Sequence, residues 1–193
     1  MTKVLQRYRE RAEQLDVLRI QTLLLTFFTG SAIGWVWEML YAFVTSGELV
    51  NRGFLHGPWL PIYGCGCLLM LGIRHICDES KRHFFVLSMA GCGIVEYSTS
   101  WVLEALMGVR WWDYTGEFMN LNGRICLMGL LFFASAGMLV IYLLEPKFVR
   151  RVAQLNERTR ELLCTGCTIL FTVDLAIAFH LPNLAAATQM LLH

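Results

Sequence analysis

The chain has 193 residues, 56% of them hydrophobic and 16% charged, with a mean hydropathy of +0.51 and a formal net charge of +1. So apolar a composition excludes an ordinary soluble domain and indicates an all-α, polytopic membrane protein. The near-neutral balance gives no sign of a nucleic-acid partner, and none is expected; in a membrane protein the informative quantity is how charge is divided between loops.

Residues 1–18 alternate charges with Val4, Leu5, Tyr8, Leu15 and Leu18 at near-helical spacing, which predicts a cytoplasmic amphipathic helix lying at the interface. Its acidic residues and the length of the apolar stretch behind it argue against a cleaved signal peptide. Residues 19–193 then read as a single transmembrane domain. Five apolar stretches follow: Ile20 to Ser46, Leu60 to Cys77, Phe84 to Met107, Ile125 to Leu144, and Leu163 to Leu181. Each meets the requirement of about 20 residues for a bilayer-spanning helix, the second only just.

Lys and Arg divide unevenly between the connecting segments. Five precede the first span (Lys3, Arg7, Arg9, Arg11, Arg19), three lie in the second loop (Arg74, Lys81, Arg82) and five in the fourth (Lys147, Arg150, Arg151, Arg158, Arg160). The opposite side holds only Arg52, Arg110 and Arg124. The positive-inside rule therefore puts the N-terminus in the cytoplasm and the C-terminus outside, in the cell membrane. All six tryptophans (Trp35, Trp37, Trp59, Trp101, Trp111, Trp112) fall towards the outer side, as an interfacial aromatic belt would.

Three glutamates stand within these apolar stretches, at Glu38, Glu96 and Glu104. A carboxylate at a helix centre costs about 3 kcal/mol on insertion scales, so each needs a partner, water or a function. Two belong to near-copies of one motif, Trp35-Val36-Trp37-Glu38-Met39-Leu40 and Trp101-Val102-Leu103-Glu104-Ala105-Leu106, which match at four of six positions. Either a helical hairpin has been duplicated, giving parallel repeats with a site on their shared axis, or Trp and Leu recur by chance in apolar helices.

The first outer loop, from Asn51 to Gly66, contains Gly53, Gly57, Pro58, Pro61, Gly64 and Gly66 and cannot be one straight helix. It is nonetheless apolar, through Phe54, Leu55, Trp59, Leu60, Ile62 and Tyr63, which fits a partly re-entrant loop packed between hairpins. A plain interfacial loop ahead of a short second span is the competing reading. The third loop runs from Arg110-Trp111-Trp112-Asp113-Tyr114 to Asn120-Leu121-Asn122-Gly123-Arg124.

Several of these segments carry a resemblance: Gly34-Trp35 with Glu38, the run NRGFLHGPWLPIYGCG, Glu96 with Ser100-Trp101 and Glu104, and RWWDYTGEFMNLNGRICL. Over about residues 30–145 the chain resembles the ABC-transporter type IV permeases, also called CmpB-like. The resemblance implies a small multi-span bacterial membrane protein with a transport role. The chain has no G-x-x-x-x-G-K-[ST] phosphate loop, so any ATPase would be a separate subunit.

The expected site is an outward-facing cluster of Glu38, Asn51, Arg52, Glu96, Glu104, Trp112, Asp113, Asn122 and Arg124, with Arg110 beside it. Carboxylates and guanidinium groups in a recess could bind a small polar or ionic solute, and a buried Glu could take up a proton. The same groups could instead be ion pairs that lock helices and loops together. Glu96 is the strongest functional candidate because it is deepest, and Glu104 the most structural. Asp174, near the middle of the fifth span, could pair with another span or line a subunit contact.

Cys164-Thr165-Gly166-Cys167 has thiol-oxidoreductase spacing and Cys65-Gly66-Cys67 is a second close pair, but the two lie towards opposite faces of the membrane. His75, Cys77 and His83 do not complete a metal-ligand set. No cofactor, metal or catalytic residue is expected, and the chain is not expected to be an enzyme. Three classes remain open: a permease-type component, for which a homodimer would enlarge the small pathway that five spans enclose; a scaffold or regulatory subunit; and a lipid-modifying enzyme using Glu38, Glu96 or His56.

Overall fold

A computed structural model describes residues 2–47, 49, 51, 53–77, 80–108, 110–181 and 183, with side chains from residue 14 onward. The described chain is all-α: α1 (Thr2–Ser46), α2 (Pro61–Ile76), α3 (Lys81–Met107), α4 (Leu127–Leu139), a π-helical turn (Val140–Leu144), α5 (Glu145–Gln154) and α6 (Glu157–His180). Among the described residues, three helical stretches are long and apolar enough to cross a membrane: Gln14–Ser46, Leu127–Gln154 and Glu157–His180. Pro61–Ile76 is apolar but shorter, and α3, which carries Glu96 and Glu104, lies outside that group.

The N-terminal stretch is helical as expected, and it continues without a break into the first apolar stretch over 45 residues. The fourth and fifth helices also differ from their sequence-based bounds. The expected loop with its five basic residues is mostly helix, because α4 runs on through the π turn and α5 to Gln154. Only Leu155 and Asn156 separate it from α6, whose first turn is closed by the Asn156 side chain accepting from the Thr159 N–H at 2.7 Å. Charge ends an apolar run but not a helix, since Lys, Arg and Glu are good helix formers.

The π turn frees backbone acceptors, and Arg74 uses one: its Nη1 donates to the Ile141 carbonyl at 2.9 Å and lies 3.4 Å from Glu145. Behind it, Met70, Ile73, Cys77, Phe84, Cys92 and Ile141 form a buried apolar cluster joining α2, α3 and the turn.

Helices α1 and α2 cross closely because their contact is built from small residues. A Cβ on Gly30 would come within 2.7 Å of the Cys67 sulfur, one on Gly34 within 2.2 Å of the Tyr63 ring, and one on Gly64 within 2.3 Å of the Ser31 hydroxyl. Gly30 and Gly34 stand four apart on one face, the small-residue spacing that lets membrane helices approach.

The first loop packs into the protein through its apolar side chains, while His56 and Pro58 stay exposed. Leu55 is 2% exposed, Phe54 makes edge contacts with Trp111 and Phe179, and Trp59 does the same with Phe28 and Phe171. The Leu60 N–H donates to the Ser31 carbonyl at 3.0 Å, so α2 begins at the level of Ser31. Ser31 lies about eleven residues, hence about 16 Å, beyond Ile20, close to half of a 30 Å hydrocarbon layer. Pro61 in the first turn of α2 suits a helix that starts there, since its missing N–H would have had no intrahelical acceptor.

Candidate functional site

The glutamates separate into two groups with different partners. Glu104, in the last turn of α3, meets the Arg124 guanidinium and lies 3.5 Å from Arg110. Arg124 is only 9% exposed; it also donates to Ser100 Oγ at 3.0 Å and lies over the Tyr97 ring at 5.7 Å. Its carbonyl accepts from the Trp112 indole N–H at 2.9 Å. Asn122 donates to the Tyr97 hydroxyl at 2.9 Å, while its carbonyl accepts from Arg110 at 3.3 Å. Arg110 is also 3.8 Å from Asp113, whose carboxyl is held below the usual range first by the Thr115 hydroxyl and backbone N–H and then by Arg110.

Local folding of the third loop makes this knot possible. Met119, Asn122 and Gly123 adopt positive φ, and a Cβ on Gly123 would come within 2.5 Å of both Asp113 and Thr115. The Asn120 amide donates to the carbonyls of Thr115 and Glu117 and its Oδ1 accepts from the Gly123 N–H, which closes the loop on itself. Of the expected cluster, Glu104, Trp112, Asp113, Asn122 and Arg124 are therefore brought together, with Arg110.

Glu38 and Glu96 meet tyrosines instead. The Tyr63 hydroxyl, from the start of α2, donates to Glu38 Oε1 at 2.6 Å. The Tyr114 hydroxyl, from the third loop, donates to Glu96 Oε1 at 3.1 Å. Burial, and next the charge of Glu96, pushes the Tyr114 phenol well above its usual value, with Glu38 contributing as well, so the two pairs lie within electrostatic reach of each other. Glu96 is 5% exposed, and its Oε2 has no hydrogen-bond partner among the described residues.

Glu96 also lines a half-enclosed cleft of about 790 Å³ between α1, α2, α3 and the α4–α5 stretch. Tyr63 and Cys67 line it too, and the rest of its wall is almost wholly apolar. Volumes of this order are typical of small-molecule sites.

Asn51 serves the first loop: its Oδ1 accepts from the Trp35 indole at 2.9 Å and its amide donates to the carbonyls of Leu55 and His56. Arg52 lies outside the described residues. Asp174, on α6, accepts from the backbone N–H groups of His56 and Gly57 at 3.1 and 2.9 Å and lies 3.3 Å from His56 Nδ1. Its partners are thus loop backbone, and the Asn183 amide adds three bonds to the carbonyls of Asn51, Gly53 and Leu55.

The tyrosines are the partners of Glu38 and Glu96 that sequence reasoning missed. The signal was available: two intramembrane acids with no basic residue at matching depth need neutral hydroxyl donors, and Tyr63 and Tyr114 sit in the two distinctive loops.

The family described as "Putative ABC-transporter type IV" matches residues 25–179. The chain belongs to it. The match takes in the outer-loop motifs, both tyrosine-paired glutamates and the arginine knot, and it extends through α6 and Asp174, beyond the stretch that carried the resemblance. No curated protein and no solved structure matches the chain. As a member of the ABC-transporter type IV family with bilayer-length apolar helices, it is a membrane protein related to transport.

The seven cysteines are all free thiols. Cys164 is buried against the Gln21 carbonyl on α1, and Cys67 lies against Gly30, which is helix packing.

Proposed function

We propose that the chain is the membrane-embedded component of a transport system and that Glu96, supported by Tyr114 and the neighbouring Glu38–Tyr63 pair, binds a small polar or ionic solute. The observation that carries this reading is the lone Oε2 of Glu96, buried and without a partner, on a residue that lines a cleft. A carboxylate in that setting is costly unless it is neutralised or meets a ligand. The outer knot takes the locking role, because each of its charges has a partner and the pairs of Glu104 with Arg110 and Arg124 tie the third loop to α3.

In this reading α2 and α3 also cross the bilayer, α2 completing its passage through the re-entrant first loop, so that five spans place the N-terminus in the cytoplasm and the C-terminus outside the cell membrane. Energy would come from a separate ATPase subunit, in keeping with the family's description and the missing phosphate loop. The chain itself would not be an enzyme: His56 goes to Asp174, while Glu38 and Glu96 go to tyrosines.

The test is thermal stabilisation of purified protein by a panel of small inorganic and organic ions, run on wild type and Glu96→Gln. At least one ion is expected to raise the wild-type melting temperature and to leave the variant unmoved. Equal responses from both proteins across the panel would remove Glu96 from the site.

A further inference from the structure

The cleft is elongated and one-sided in its chemistry. Phe132 and Phe148 both line it, and along a nearly continuous helix they are about 24 Å apart, most of the thickness of a hydrocarbon layer. Its rim includes Ile33, Trp37, Phe132, Leu139 and Leu144, all exposed apolar residues, so the open side faces what would be lipid rather than water.

Charge in the cleft is acidic only. Among the described residues its lining contains Glu96 and Glu145 and no Lys or Arg. Glu145 is already met by Arg74, and Arg110 and Arg124 are drawn into the outer knot. What remains is Glu96, which lines the cleft and whose buried Oε2 has no partner, beside a long apolar wall.

We infer that this cleft binds an amphipathic cation, an alkyl or similarly apolar body bearing a primary ammonium head, which enters sideways from the bilayer and places its head on Glu96. The inference rests on the solute site proposed above and names its ligand class. An ammonium supplies both the N–H donor that Oε2 lacks and the charge that offsets burial of the carboxylate. The tail replaces lipid along the cleft, where a hydrophilic ion would gain nothing from the wall. An uncharged lipid tail would fill the apolar part but leave Oε2 as it is.

Equilibrium binding of radiolabelled dodecylammonium to the full chain in nanodiscs, corrected for empty nanodiscs, tests this. Saturable binding is expected, displaced by unlabelled dodecylammonium but not by butylammonium, dodecanol or dodecanoate. Glu96→Gln is expected to weaken it at least tenfold. Gly66→Leu provides a second variant, because Gly66 lines the cleft and a Cβ on it meets nothing within 4 Å; the larger side chain is expected to reduce binding similarly. Glu117→Gln, at an exposed loop position, is expected to leave it unchanged.

Equal displacement by dodecanol would make the cleft an acyl-chain groove and overturn the cationic class. Binding that ignores both Glu96→Gln and Gly66→Leu would overturn the location. Stabilisation by a hydrophilic ion that requires Glu96, together with no saturable dodecylammonium binding, would overturn this inference and leave the solute site standing.

Discussion

The Glu104–Arg124 knot and the Glu96–Tyr114 pair draw their acids from the same helix, yet they handle a carboxylate in opposite ways, Glu104 partly exposed and Glu96 buried. In the knot, two guanidinium groups meet the charge, one of them also donating to a serine hydroxyl, and a loop is fastened to a helix as a result. In the pair, one neutral hydroxyl donates to one oxygen, and the second oxygen is buried without a partner in a residue that lines a cleft. Full pairing uses up binding capacity for stability, whereas incomplete pairing leaves capacity for a ligand. The comparison teaches that an acid in a span cannot be judged by its depth alone.

The comparison breaks most readily at Arg124. Arg124→Met should give the largest fall in melting temperature, more than about 5 °C by intrinsic fluorescence in detergent, because one side chain serves Glu104, Ser100 and the Tyr97 face. Adding Glu104→Leu to that variant should recover part of the loss, and strict additivity would mean that the two do not act as a pair.

An intermediate effect is expected at Asp174, which resembles the knot in being fully used, though by backbone donors. Asp174→Ala leaves the His56 and Gly57 N–H groups without acceptors and should cost about 1–3 kcal/mol, read from unfolding midpoints. Faster hydrogen exchange confined to residues 53–60 would sharpen the assignment of Asp174 to that loop, and unchanged exchange there would count against it.

The smallest effect on stability belongs to the inner pair. Tyr114→Phe removes one hydroxyl and should cost no more than about 1.5 kcal/mol, while ligand-induced stabilisation falls alongside that of Glu96→Gln. A loss as large as that of Arg124→Met would place the inner pair among the structural contacts and erase the distinction.

Much of this was legible in the residues themselves. The all-α class, the apolar stretches and the family followed from composition and from the motifs of the two outer loops. The third loop's membership in a Glu/Arg cluster was legible because Arg110 and Arg124 flank that loop and Glu104 lies just before it. The ends of α4, α5 and α6 were not legible, because hydropathy reports where a chain leaves lipid and not where its helical hydrogen bonding stops. The close contact at Gly30 and Gly34 was not read from the sequence; only the crossing with α2 shows that Tyr63 packs on Gly34 and Cys67 on Gly30.

By itself the sequence determined that this protein lives in a membrane, that three acids lie in its apolar helices and that arginines are scarce where those acids need them. Tertiary structure alone decided which acid received the arginines. That outcome depends on the left-handed turns at Met119, Asn122 and Gly123, which fold the third loop so that Arg124 reaches Glu104 while Tyr114 reaches Glu96. The physical reason is geometric: hydrogen bonds and ion pairs act over a few ångströms, and residues tens of positions apart meet at that range only once the loops between them have folded.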